Sequence, residues 1–346
     1  MSVPDFIREH VPLAPLTTLG LGGPARYLAD CRNATQVIEA LRWAGAQRLA
    51  VTILGGGSNV VLPDQGLEGL VLRVTSSALE FRESTGVVDA EAGLPWDALV
   101  EGAVARNWAG VECLSGIPGT VGGTPIQNVG AYGQEIASTL RSVTCLDRTT
   151  LSIHTFQRDE CRFGYRTSRF KEQDRHRYVV LAVSFQLTPD GTPQITYADV
   201  ARAVTPAATL GEVRDAVLAI RRSKGMVIDA RHPSHRSVGS FFTNPVIDQS
   251  AFDALEVRCR QDGLPPVPRY PGGPGRVKVS AAWLVEQAGF ARGFRKGGAG
   301  VSPQHALALV NLGGTTAELL SLAQDIIDRV ERRFGVHLIP EPEIIP

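Results

Sequence analysis

Three stretches of this chain combine residue types that chemistry can use. LGGGSNVV, residues 54–61, runs an apolar segment into three consecutive glycines, followed by Ser58 and Asn59. Consecutive glycines let backbone N–H groups turn toward one point and approach it closely, as a phosphate or pyrophosphate oxygen requires. Ser58 and Asn59 could add side-chain donors; a plain glycine turn between strands is the alternative. No GK[ST] follows, so this is not a nucleoside-triphosphate P-loop. LSGIPGTVGGTPIQNVGAYG, residues 114–133, holds six glycines and two prolines without a charge, strand pattern or helix pattern. A loop of that length inside a domain is uncommon unless it binds something. Its small residues would let a large flat ligand lie against backbone donors, with Tyr132 offering an aromatic face. SVGSFFTNP, residues 237–245, puts Ser240 between a glycine and two phenylalanines. A buried hydroxyl without a partner costs roughly 1–3 kcal/mol, so Ser240 is either bonded to local backbone or aimed into a mostly apolar pocket.

Two apparent motifs carry less. GLGGPA, residues 20–25, matches G-x-G-x-x-A, but no strand pattern precedes it and Pro24 interrupts it, so it is not read as a dinucleotide fingerprint. His232 and His305 read as hydrogen-bonded loop histidines rather than acids or metal ligands, and no metal site is expected.

The elements that must position these stretches follow from apolar periodicity. Strands are expected at 49–54, 60–62, 70–74, 86–91, 143–146, 151–156, 178–187 and 194–197, with helices at 35–44, 95–107 and 210–222. After Lys224 the pattern restarts: a strand at 238–242, helices near 248–262 and 281–287, and a strand at 306–311. Thr315-x-x-Glu318 then forms a capping-box pattern opening a helix with Leu319, Leu322, Ile326 and Val330 on one stripe. The expected class is α+β, with a boundary near 223–230.

At 346 residues the chain is long enough for two or three units with real cores. Its 35 basic and 35 acidic side chains balance, so no global field draws it to nucleic acid or an anionic membrane. The five cysteines are widely spaced without a CxxC pair and read as reduced, apolar residues. The first residues lack a signal-peptide core and no apolar run approaches membrane-spanning length. A soluble cytoplasmic protein without membrane insertion is expected, acting on small molecules as a monomer.

GGGSN, PGTVGGTPIQNVGAYG, ECRFGYRTSRFK at 160–171, GSFFTNP and the closing PEPE, in this order, resemble the UDP-N-acetylenolpyruvoylglucosamine reductase family. These are FAD enzymes of peptidoglycan precursor synthesis within the vanillyl-alcohol-oxidase-like superfamily. The similarity runs from TTLGLGG near residue 17 to the end. It implies a two-part FAD-binding module over 1–223, split near 75. A C-terminal α+β substrate-binding domain over 224–346 would follow, its last segment returning to the active site.

On the same resemblance, Gly55, Gly56, Gly57, Ser58 and Asn59 cradle the FAD pyrophosphate, and Ser115, Pro118, Gly119, Thr120, Gly122, Gly123, Tyr132 and Gly133 line the flavin. The reaction implied is NADPH-dependent reduction of UDP-N-acetylglucosamine enolpyruvate to UDP-N-acetylmuramate. Arg166 in GYR is then the catalytic arginine, able to fork onto the substrate carboxylate as enolate charge develops. Glu343 is the catalytic glutamate, protonated or reoriented by Arg166 as it helps hold the enolate, and Ser240 is the proton donor. Without the resemblance, Arg166 could be a solvated cation in a run with Arg162 and Arg169, and Glu343 a disordered end residue. Tyr197, Lys224, Asn244 and Gln304 are placed around the UDP. SKGMVID stands where the family often has Lys-Leu-Pro, and VSPQHA at 301–306 fits loosely. Neither glycine stretch holds a histidine, so the FAD is expected to be non-covalent, unlike that of many oxidases of the superfamily. Such an oxidase, or a non-catalytic nucleotide-binding relative, is the alternative.

Overall fold

The computed structural model describes residues 2–229 and 236–346, and His232 lies outside them. The chain divides into two compact units that are not contiguous in sequence. The first comprises residues 2–16, Pro24–Gly57 and Gly66–Ser223; the second comprises Thr17–Gly23, Ser58–Gln65 and the chain from Lys224 onward. The GGGSN motif is therefore cut between Gly57 and Ser58.

In the first unit, a four-stranded sheet orders the strands Ile7–Pro12, Pro24–Cys31, Leu67–Val74 and Val51–Ile53; the first pair is antiparallel and the others parallel. Helix Ala34–Ala46 begins where Asn33 accepts the Gln36 N–H, and it buries Val37, Ala40, Leu41 and Ala44 at helical spacing. Those residues share a core with Ala29, Leu70 and Leu72. A second, antiparallel sheet runs Ile153–Gln157, Leu140–Asp147, Tyr178–Gln186, Val87–Glu91, Leu79–Arg82. Helix Trp96–Ala105 shares its core through Trp96, Leu99, Val100 and Ala103, and the Trp96 indole donates to the Leu114 carbonyl at 3.0 Å.

The second unit holds an antiparallel sheet of Ser237–Ser240, Ala308–Asn311, Ala299–Val301 and Arg295–Lys296, and a smaller one of Val246–Asp248, Arg276–Val279 and Arg269–Pro271. Helix Thr316–Phe334 carries the expected capping box of Thr315 and Glu318 and buries Leu319, Leu322, Ile326 and Val330. Asp64 caps the same helix, accepting the Thr316 and Ala317 N–H groups at 2.8 and 2.9 Å. Segment 58–65 is thereby tied to the unit that begins at Lys224.

The strand expected at 194–197 does not form. The Gln194 N–H goes to the Glu112 carboxylate instead of a neighbouring strand, and Tyr197 leads into the short helix Ala198–Ala203. Strands Ile7–Pro12 and Pro24–Cys31 lie outside the expected set, and the glycine-rich 20–25 stretch leads into a strand rather than a helix. Among the described residues no helix is long and apolar enough to cross a membrane and no His/Cys/Asp/Glu cluster could hold a metal. All five cysteines are buried and free; burial pushes the thiols of Cys31, Cys113 and Cys161 up to about 12.

Candidate active site

In the first unit the two glycine stretches meet. A Cβ at Gly56 would lie 2.7 Å from the Gly119 Cα, and one at Gly55 would lie 3.3 Å from the Thr120 hydroxyl. Gly57 and Gly119 adopt positive φ, 63° and 120°. Loop 119–123 is stitched to the end of strand Val87–Glu91 and the start of helix Trp96–Ala105. Trp96 donates to the Gly119 carbonyl, Val121 to that of Leu94 and Gly122 to that of Ala92, at 2.8–3.0 Å. At Gly122 a Cβ would strike Ala92 at 2.6 Å, whereas at Gly123 nothing lies within 4 Å. Pro118 adjoins this turn in sequence. Ser115 is buried, and its hydroxyl donates to the Glu112 carbonyl at 2.6 Å, so it shapes the loop start.

Helix Leu210–Ser223 anchors that loop with two arginines. Arg214 forks onto Asp97 at 2.7 and 2.8 Å, and Asp97 also accepts the Gly116 N–H at 2.6 Å. Burial alone would raise the Asp97 carboxyl, but these hydrogen bonds and the arginine charges hold it below the usual carboxylate range. Arg221, only 7% exposed, donates to the Gly116 carbonyl at 3.2 Å and to the Tyr132 hydroxyl. Sequence reading missed Arg221. Its signal was present: Arg214 and Arg221 stand seven apart on the stripe of Val213 and Val217, where a solvated arginine is out of place.

Tyr132 has a left-handed φ of 49°, and its ring meets that of Tyr197 edge-on with centroids 5.4 Å apart. Gly133, at φ 88°, makes this possible, since a Cβ there would lie 2.1 Å from the Thr196 hydroxyl. The structure thus brings together a residue expected at the flavin and one expected at the UDP. Arg166, also left-handed at φ 55°, donates from Nη2 to the Gly130 carbonyl at 2.7 Å.

In the second unit, Ser240 ends strand Ser237–Ser240 at an irregularity. The ladder to Ala308–Asn311 shifts register between Ser237 and Ser240, and Gly239 takes φ 74°. Such a bulge re-aims a side chain. Among the described residues the half-buried Ser240 hydroxyl has no hydrogen-bond partner, whereas Phe241 and Phe242 are buried behind it. The Phe241 carbonyl accepts the Glu341 N–H at 2.8 Å, two residues before Glu343. Strand Glu343–Ile344 pairs in parallel with Val60–Val61; the Glu343 N–H donates to the Asn59 carbonyl at 3.0 Å, and Asn59 Nδ2 donates to that of Glu341 at 3.4 Å. One unit therefore joins Ser58, Asn59, Ser240 and Glu343, whereas Arg166 belongs to the other.

The remaining expected ligand residues of this unit are already engaged. Asn244 Oδ1 accepts the Ala281 N–H at 2.9 Å, which leaves its Nδ2 as the group able to meet a ligand. Gln304 is paired with Ser302 at 3.1 Å. His305 accepts the Leu307 N–H on Nδ1 at 3.0 Å; burial, then the charges of Lys224 and Arg292, pushes its imidazole down to about 4, so it is neutral at pH 7.

Comparison with known proteins accounts for both units. Residues 25–154 match the FAD binding domain family, and residues 231–345 match the family described as UDP-N-acetylenolpyruvoylglucosamine reductase, C-terminal domain. The UDP-N-acetylenolpyruvoylglucosamine reductase of Thermobifida fusca (strain YX) is 46% identical over 348 residues, 97% of each chain. That of Salinispora arenicola (strain CNS-205) is also 46% identical, over 96% of this chain and 94% of the relative. The crystal structure of UDP-N-acetylenolpyruvylglucosamine reductase from Thermus caldophilus is similar with a TM-score of 0.68 and 25% identity, over 99% of this chain and 100% of that one. With an α+β fold that joins an FAD-binding module to that C-terminal domain, and with relatives this similar over their full length, the chain belongs to the UDP-N-acetylenolpyruvoylglucosamine reductase family.

Proposed function

We propose that this protein is an FAD-dependent oxidoreductase that uses NADPH to reduce UDP-N-acetylglucosamine enolpyruvate to UDP-N-acetylmuramate, in peptidoglycan precursor synthesis. The observation that carries the reading is Ser240. A hydroxyl without a hydrogen-bond partner among the described residues, turned by a glycine bulge at a strand end, suits proton delivery. The residues also fit the cofactor. At 55–57 glycine backbone packs against Gly119 with no room for a side chain, as close approach to a diphosphate requires, and Gly123 faces open space. FAD, when bound, supplies two-electron hydride transfer. Gly55, Gly56, Gly57, Ser58 and Asn59 would hold its diphosphate, and Ser115, Pro118, Gly119, Thr120, Gly122, Gly123, Tyr132 and Gly133 its ring, without a covalent tether.

The chain's own residues do the rest. Arg166 forks onto the substrate carboxylate and strengthens its bonds as enolate charge grows, and Glu343 helps hold the enolate. Ser240 gives its proton to the carbon bearing the ether oxygen; fixed position substitutes for acidity. Tyr197, Lys224, Asn244 and Gln304 take the UDP, Lys224 as a diphosphate cation and Asn244 through its Nδ2 donors. Residues 1–223, with subdomains meeting near 75, serve the cofactor, and 224–346 the sugar nucleotide. We place the protein in the cytoplasm as a monomer without a nucleic-acid partner.

An anaerobic absorbance titration tests this. The purified protein is expected to be yellow, to release its FAD on acid denaturation, to bleach with NADPH, and to regain colour when the enolpyruvyl sugar nucleotide is added. Bleaching without recovery of colour would overturn the substrate; a colourless protein that binds no FAD would overturn the reading altogether.

A further inference from the structure

Asn128 is 1% exposed, has a left-handed φ of 49°, and is assigned no part in the chemistry above. Its side chain is nonetheless fully used. Nδ2 donates to the Gly164 carbonyl at 3.0 Å and to Glu135 Oε2 at 2.9 Å, and Oδ1 accepts the Ala137 N–H at 3.1 Å. Gly164 opens the turn that carries Arg166, closed by reciprocal Gly164 and Thr167 backbone bonds at 3.1 and 3.3 Å. Glu135 pairs with Gly130 in the two-stranded hairpin whose Gly130 carbonyl receives the Arg166 guanidinium. A single amide therefore ties the turn that presents the guanidinium to the hairpin that receives it. The other end of the turn is pinned as well, because the buried Ser168 hydroxyl donates to the Ile126 carbonyl at 2.6 Å. Room is short: a Cβ at Gly130 would lie 2.7 Å from Glu135 Cγ and 3.1 Å from Arg166 Nη1.

We infer that Asn128 is a positioning residue for Arg166, fixing the guanidinium by clamping the 164–167 turn to the 130–135 hairpin. This rests on the role proposed for Arg166. A fork on a carboxylate needs its two N–H vectors held in one plane, and a displacement of about 1 Å can cost on the order of 10²-fold in rate.

Asn128→Gly removes the three bonds while keeping a residue that accepts positive φ. Asn128→Asp keeps the acceptor for Ala137 and loses both donors. In stopped-flow measurements on the FAD-loaded enzyme, both variants are expected to be reduced by NADPH within about twofold of the wild-type rate. Their reoxidation by the enolpyruvyl substrate should slow about 10- to 100-fold. In an Arg166→Lys background the same substitutions should slow reoxidation less than about threefold further, since the geometry they protect is already lost. Hydrogen exchange should rise together in peptides spanning 128–137 and 160–170. Additive effects in the double variant, or equal slowing of both half-reactions, would reduce Asn128 to a folding residue. An Arg166→Lys enzyme that reoxidises at the wild-type rate sinks the Arg166 assignment and this one with it. A slow Arg166→Lys beside a fast Asn128→Gly sinks only the positioning role. Should Asn128→Gly lose its flavin, Asn128→Asp carries the same comparison.

Discussion

In the first unit the two glycine loops offer a ligand backbone, beside the Arg166 and Tyr132 side chains, whereas in the second Ser240 and Glu343 are side chains hung on short, irregular strands. The 55–57 and 118–123 loops press glycine against glycine so closely that a methyl group at Gly56 has no room. What they present is backbone at fixed places: the Val121 and Gly122 N–H groups are spent on Leu94 and Ala92, and Asp97, Arg214 and Arg221 anchor the longer loop at Gly116. Ser240 and Glu343 instead sit at the ends of strands of four and two residues. A bulge, one parallel pair of strands and the Phe241–Glu341 bond set their positions. A rigid cradle suits a cofactor that stays, and reactive side chains suit a substrate that comes and goes. Substitutions in the two regions should accordingly fail differently.

The largest effect should fall on Ser240. Ser240→Ala is expected to leave reduction by NADPH nearly intact and to slow the second half-reaction by about 10²- to 10⁴-fold, the usual worth of a general acid. Ser240→Cys should recover part of that loss. A turn serine would behave otherwise, costing roughly 1 kcal/mol of stability through a lost bond and slowing both halves little. The two half-reactions, measured separately in each variant, decide between these.

The pH dependence of folding reports on the second unit. His305 is held at about 4 by burial and by Lys224 and Arg292, against 6.5 in the unfolded chain. Between those values the unfolded state binds the extra proton, so stability should rise with pH from about 4 to about 6.5 and level off above it. The contribution lost on acidification is up to about 3 kcal/mol. Urea unfolding of His305→Gln should flatten that slope, and an unchanged slope would assign it to other groups.

How much of this was readable in the chain alone depended on sequence distance. The Thr315–Glu318 cap, the 316–334 stripe and the glycine clusters are local patterns, and they appear as written. Asn128 finds Gly164 thirty-six residues away, and Arg221 finds Gly116 at a separation of 105, which no local pattern encodes. The misplaced strand at 194–197 has the same cause. Its alternation is real, but the Gln194 N–H is claimed by Glu112, eighty-two residues earlier. Ser240 stood out early because a hydroxyl among phenylalanines conflicts with its surroundings at the level of composition. The cut within GGGSN was invisible, since Asp64, which ties segment 58–65 to helix Thr316–Phe334, has its partners some 250 residues on.

Two glycines sharpen the contrast at the smallest scale. At Gly56 an added methyl would lie 2.7 Å from Gly119, and overpacking of this kind typically costs about 1–3 kcal/mol. Gly56→Ala should therefore lower the melting temperature of the apoprotein and weaken FAD binding together, because the two loops must part to admit the methyl. At Gly123 a methyl meets nothing within 4 Å. Its φ lies outside the positive-φ set, so alanine brings no backbone strain either. Gly123→Ala should leave apoprotein melting within about 1 °C and may be judged on the cofactor alone: if the flavin ring lies over this backbone, the methyl stands where the ring must go and the FAD dissociation constant rises several-fold. Unchanged FAD affinity with unchanged melting would move the ring away from Gly123, and a fall in apoprotein melting would show that the space there is used by the fold rather than kept for the cofactor.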